Sequence, residues 1–86
     1  MKGKILDIWR INNNVYGNPR YLLTVETENN ERDYLGLVSY QLDTNYQGAN
    51  IEYKYSGRGI KNQGRYFNGA NIYYLEKNNQ VKWDHR

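Results

Sequence analysis

The chain has 86 residues, enough for one folding unit and too few for a second core, because domains typically run about 50 to 200 residues. Ten Tyr, two Trp and one Phe make it 15% aromatic although only 38% hydrophobic, so its core is expected to draw on rings whose hydroxyls stay wet. The net charge is +3 and cysteine is absent, which excludes a disulfide framework, a thiolate metal site and a thiol nucleophile.

Asn and Gly are abundant and Pro19 is the sole proline, a balance that favours tight turns between short strands. The first expected strand, Lys4 to Ile11, carries apolar residues on both faces, as a strand bending through a barrel would. Turn residues from Asn12 to Asn18 separate it from a second strand, Arg20 to Thr27, and Asn29 to Glu31 precede a third, Asp33 to Tyr40. Ser39 to Gln47 is the one stretch with any helical character. In the fourth strand, Asn50 to Tyr55, Ile51, Tyr53 and Tyr55 share one face and Glu52 and Lys54 the other. Ser56 to Gly59 reads as a hairpin turn, Asn71 to Glu76 as the fifth strand, and Asn78 to Gln80 as a last turn before a tail, 82–86, open to fraying. Together these predict an all-β domain with little helix: a five- to six-stranded antiparallel barrel or roll, OB- or SH3-like.

Two short segments echo one another. Tyr46-Gln-Gly48-Ala49-Asn50-Ile51-Glu-Tyr53 returns as Phe67-Asn-Gly69-Ala70-Asn71-Ile72-Tyr-Tyr74, with the shared pattern aromatic-x-Gly-Ala-Asn-Ile-x-Tyr. The expected meaning is a glycine turn feeding a strand, with the aromatic packed beneath the turn. A ligand site made by the two copies is the other reading.

Catalysis is excluded by inventory rather than by any motif. The one histidine, His85, is penultimate, Ser39 and Ser56 have no base, and no carboxylates stand at metal-ligand spacing. Glu26, Glu28, Glu31 and Asp33 read as a solvated hairpin edge. Gly57-Arg58-Gly59 and Gly64 fit neither phosphate-loop spacing. A non-enzymatic protein without metal or cofactor is therefore expected. Asp7 and Arg10 interrupt the N-terminal apolar run and nothing approaches the roughly 18 apolar residues of a membrane span, which makes a cytoplasmic protein without membrane contact the expectation.

Charge is more informative. Residues 26–43 hold five acids and one base, whereas residues 44–66 hold one acid and four bases. The basic segment sets Lys54, Arg58, Lys61 and Arg65 among Tyr53, Tyr55, Tyr66 and Phe67. Cations neutralise phosphates while aromatic faces stack on bases, so the leading expectation is single-stranded nucleic-acid binding through Arg20, Lys54, Arg58, Lys61 and Arg65, with Tyr53 and Tyr55 as stacking surfaces. The acidic segment suggests a nucleic-acid-processing protein as partner instead, and an edge such as Asp33 to Tyr40 could pair across a homodimer.

Asn13-Asn14-Val15-Tyr16-Gly17-Asn18-Pro19-Arg20-Tyr21 resembles the N-S-x-x-G-N-P-R-Y signature of small proteins of bacteria and their phages that have no assigned activity. The likeness extends loosely from Ile5 to about Ile60, and Asn14 stands where the signature has Ser. It implies a small β protein from a phage or other mobile element, which gives the rival reading: an accessory factor that binds and inhibits a host defence nuclease, of the anti-CRISPR or anti-restriction type. In the signature itself Gly17 permits the turn, Pro19 holds Asn18 extended, and Arg20 emerges at a strand start, either as turn architecture or as a binding loop carrying Arg20 and Tyr16.

Overall fold

Alternation decides which side chains make the core. The computed structural model describes residues 1–86 as seven strands: β1 (Lys2–Ile11), β2 (Arg20–Thr27), β3 (Arg32–Val38), β4 (Asn50–Tyr55), β5 (Ile60–Asn62), β6 (Arg65–Lys77) and β7 (Gln80–Asp84), with a 3₁₀ turn at Thr44–Tyr46. Tyr21, Leu23 and Val25 on β2 and Leu35 and Leu37 on β3 point inward, meeting Ile5 and Ile8 of β1, Ile51 and Tyr53 of β4 and Ala70 and Leu75 of β6. Leu42, on the connection after β3, joins the same cluster, and Tyr46, Ile72 and Trp83 pack against it.

The strands hydrogen-bond in the order β3–β2–β1–β4–β6, and β6 returns to β3 through a short parallel contact that closes the ring. Every other pairing is antiparallel. The result is a small all-β barrel-like fold. β5 and β7 attach to the two ends of β6, whose 13 residues thus serve several neighbours in turn. A bulge at Leu6 lets β1 bend, pairing with β4 through Lys2–Lys4 and with β2 along its length.

The second and fourth expected strands stand at their expected bounds, and the third ends at Val38 rather than Tyr40. Two strands, β5 and β7, escape a search for apolar alternation because they are short and largely polar. Their turns carry the signal instead. Gln63 and Gly64, at φ of 50° and 81°, join β5 to β6, and Asn78 and Asn79, at 55° and 63°, join β6 to β7, both as two-residue turns of the type with two positive φ angles. Ser56 to Gly59 is accordingly a connection between β4 and β5 and not a hairpin turn. Residues 80–84 form β7, and Arg86 bonds Asp84 and Glu52 while its guanidinium sits 4.2 Å from the centre of the Tyr74 ring.

The echoed segments lie on neighbouring strands, β4 and β6, where Tyr53 pairs with Ile72 and Tyr55 with Ala70. Their glycines do different work. Gly48 turns the chain into β4 with φ +87°, whereas Gly69 lies inside β6, where a Cβ would overlap the Arg58 carbonyl oxygen. The expected glycine turn thus holds for the first copy only. Gly48→Val should cost about 1 to 3 kcal/mol through the positive φ. Gly69→Val should cost more, because backbone rather than a flexible side chain must give way, and urea-unfolding midpoints of the two variants will show that order.

Candidate nucleic-acid interface

Three strands present an outer face built on a sparse apolar layer. On it, cross-strand register sets Trp9 of β1 beside Leu22 of β2 and Leu22 beside Gly36 of β3. Leu22 is buried although it points away from the barrel core, because the β4–β6 connection folds over this face. A Cβ on Gly36 would stand 3.0 Å from the Ile60 side chain, so Ile60 covers the space the glycine leaves. Phe67 is buried on the same side and meets the Tyr34 ring edge to face, centres 6.0 Å apart, while the Arg65 guanidinium lies 4.2 Å above the Tyr34 ring. Trp9 is left 57% exposed at the border of this layer. Tyr66 is also 57% exposed, its hydroxyl held by the Gly59 N–H at 3.1 Å.

The cations expected at this surface fall into three groups. Arg58, Lys61 and Arg65 are exposed on the β4–β5 connection and the β5–β6 hairpin, next to Tyr66. Lys54 is exposed on β4, opposite Asn71. Arg20 is half-buried and already engaged, its Nε donating to the Asn12 carbonyl at 2.7 Å. That bond closes the base of the 12–19 loop. Within the loop the Asn14 carboxamide oxygen accepts from the Tyr16 and Asn18 N–H groups at 3.0 and 2.9 Å, and Asn13 Nδ2 and the Tyr40 hydroxyl both donate to the Gly17 carbonyl at 3.2 Å. Much of the loop's hydrogen bonding is internal; Val15 and Tyr16 are its exposed large apolar side chains, and Asn12 and Asn13 are exposed beside them.

Tyr53 cannot be a stacking surface. Alternation places it on the face of Ile51, and that face is the core, so the ring is 0% exposed. Its hydroxyl donates to Asp33 Oδ2 at 2.8 Å, the Tyr55 hydroxyl donates to the same oxygen, and Asn68 Nδ2 donates to Oδ1 at 3.3 Å. Asp33 is therefore not part of a solvated edge; it joins β3 to β4 and β6. Tyr55 is 52% exposed, but it borders a hollow of about 250 Å³ lined by three carboxylates, Glu28, Glu31 and Asp33, against Lys2 and the Met1 terminus, so a phosphate there would meet carboxylates. The exposed rings on the basic side are Trp9 and Tyr66 instead. The bulge at Leu6 hides Trp9 in the sequence, because strict alternation from Ile5 would turn the ring inward and the bulge turns it outward.

Comparison with known proteins brings no match: no family model, no curated protein and no solved structure aligns with the chain. No helix is long and apolar enough to cross a membrane, and no three His, Cys, Asp or Glu side chains stand together as metal ligands.

The Asp33 cluster makes stability sensitive to alkali. Burial, followed by the bond to Asp33, raises the Tyr53 phenol, and the bond to Asp33, followed by burial, pushes the Tyr55 phenol up to about 12. An unfolded tyrosine loses its proton near pH 10, so between about pH 10 and 12 the fold holds a proton that the unfolded chain has released. The stability these phenols contribute is complete below pH 10 and is lost as pH rises through 12. Urea midpoints should fall over that interval, and Tyr55→Phe should be less stable at pH 8 yet show a shallower fall.

Proposed function

We propose that this protein binds single-stranded nucleic acid across the outer face of β1, β2 and β3, between the 12–19 loop and the β4–β6 connection. The observation that carries the reading is the exposed indole of Trp9 on that face, flanked by the connection that bears Arg58, Lys61, Arg65 and Tyr66. A stacked base is worth about 1 to 3 kcal/mol and any base offers a π-face, so an exposed ring beside flexible cations recognises a strand without reading its sequence. The ring order β1–β2–β3–β6–β4, with its single parallel seam, has the connectivity of an OB barrel. Such barrels bind oligonucleotides on the strand 2–3 face between the two loops that correspond to 12–19 and 56–64 here. Arg65 is pre-ordered by the Tyr34 ring, which lowers the entropy lost when its planar fork meets a phosphate. The role is binding alone, with no covalent step.

A second reading, a mobile-element protein that docks on a basic host defence nuclease, draws on the acidic hollow of Glu28, Glu31 and Asp33. Salt-titrated binding of single- and double-stranded oligonucleotides separates the two. Replacing Arg58, Lys61 and Arg65 together by Ala should weaken binding to every sequence and flatten the salt slope by about 0.7 for each phosphate no longer neutralised. Trp9→Ala should weaken binding by about 1 to 3 kcal/mol at every salt concentration with the slope unchanged. The triple variant should keep its stability, since exposed charges contribute little to it. Absence of oligonucleotide affinity in the wild type at low salt would overturn the proposal and point to the protein partner.

A further inference from the structure

The chain contains a single Asn–Gly step, Asn68–Gly69, and the fold places it in the seam that closes the barrel. Asn68 pairs with Leu35 and Gly69 with Gly36, and these are the two pairs that join β6 to β3. The Asn68 carboxamide donates from Nδ2 to Asp33 Oδ1 at 3.3 Å. Gly69 is held from two further directions: its carbonyl accepts from the Ser56 N–H at 2.8 Å, and the Arg58 carbonyl lies where a Cβ would stand. In the echoed segment the matching step is Gln47–Gly48, which stands in the turn before β4 and outside any ladder.

Asn followed by Gly is the step at which a polypeptide most readily modifies itself. The glycine amide nitrogen attacks the side-chain carbonyl carbon, a C–N bond closes a five-membered imide, and the carboxamide nitrogen leaves as ammonia with the proton of the glycine amide. Water then adds to one of the two imide carbonyls and breaks that C–N bond, which yields aspartate or, with the backbone rerouted through the side chain, isoaspartate. Glycine favours the reaction because no Cβ obstructs the ring and its backbone reaches angles other residues resist. Glutamine would need a six-membered ring, which closes more slowly. Attack requires the carboxamide carbon to fold back onto the next nitrogen. An asparagine held extended in a ladder, with its carboxamide tied to Asp33, does not reach that arrangement.

We infer that Asn68–Gly69 is a self-modification site gated by the seam: the closed barrel protects it, opening of the two-pair ladder releases it to deamidate, and the product prevents closure. Aspartate at position 68 brings a second carboxylate against Asp33, which already accepts from Tyr53 and Tyr55, and replaces a donor by an acceptor with no partner there. Isoaspartate adds a methylene to the backbone of a ladder two pairs long, which takes Gly69 out of register with Gly36. Loss of ammonia makes the change one-way. Arg58 and Ile60 of the β4–β5 connection pack on Gly69 and Gly36, so a seam that cannot close also releases the basic segment from its seat. The inference stands on the seam alone and is independent of what the outer face binds.

The test is incubation of the wild type at pH 8 over a series of urea concentrations, with the tryptic peptide of residues 66–77 followed by mass spectrometry and by chromatography that separates aspartate from isoaspartate. Asn68 should deamidate at least about tenfold more slowly in the folded protein than in the unfolded chain, the rate rising with urea as the seam opens. The deamidated fraction, isolated by ion exchange, should unfold at lower urea than the unmodified protein. Asn68→Asp should reproduce the part of that loss that comes from charge, and Asn68→Gln should give no modified peptide at that position over the same period. Equal rates in the folded and unfolded protein would overturn the gate. A deamidated fraction as stable as the unmodified protein would overturn the one-way step. Failure of Asn68→Asp to fold agrees with the inference, and the two wild-type measurements decide it without that variant.

Discussion

Closure of the barrel rests on two residue pairs. Leu35–Asn68 and Gly36–Gly69 are the whole of the parallel ladder between β3 and β6, and without it the other strands would form an open sheet with two bare edges. So short a ladder has few backbone bonds, and side chains reinforce it. Asp33, just before Leu35, draws in Tyr53 and Tyr55 from β4 and Asn68 from β6, so one carboxylate spans three strands at the seam. The paired glycines contribute by having no side chains. Across them lies the β4–β5 connection, with the Arg58 carbonyl over Gly69 and Ile60 over Gly36. Any Cβ at Gly69 would lift the connection, and with it the hairpin that carries the cations.

The same closure separates the charges. Asp33 must face the barrel end to reach both phenols, and the β2–β3 turn beside it brings Glu28 and Glu31 to that end. The hairpin that covers the seam carries Arg58, Lys61 and Arg65 onto the outer face instead. Acidic and basic segments that adjoin in sequence thus become two distinct surfaces. The β5–β6 cations are exposed and form no ion pair; the ion pairs of the fold belong to Arg86. Charges that contribute little to stability are free to meet a ligand, whereas Arg20 is held by the loop it closes.

Most of the framework is legible because β-branched and aromatic residues bounded by Asn and Gly identify strands with little ambiguity, as in Arg20–Thr27 and Asn50–Tyr55. What alternation cannot supply is which face is inside. It groups Ile51, Tyr53 and Tyr55 correctly, yet only the three-dimensional path shows that Tyr53 lies in the core and that Tyr55 leaves it at the acidic end. Trp9 illustrates the converse case, since one bulged residue inverts the pattern downstream and a ring that reads as core emerges on the surface. The β5–β6 hairpin is obscured for a different reason: its first strand is three residues long, and the richer Gly57–Gly59 segment overshadows the Gln63–Gly64 turn that defines it. Type and neighbourhood therefore identify the cations, while the surface they occupy and the rings that accompany them emerge only from the fold.

The 12–19 loop shows why architecture and recognition need not compete for the same residues. Asn13, Asn14, Gly17 and Arg20 use their polar groups on one another, on the loop backbone and on Tyr40, and Pro19 is buried. This self-satisfied frame fixes the tip, where Tyr16 stands almost fully in solvent beside Val15. A floppy loop would lose conformational freedom on meeting any partner, whereas one already held by its own hydrogen bonds has little left to lose. On that argument, Asn14 and Arg20 hold the frame that presents Val15 and Tyr16 to solvent.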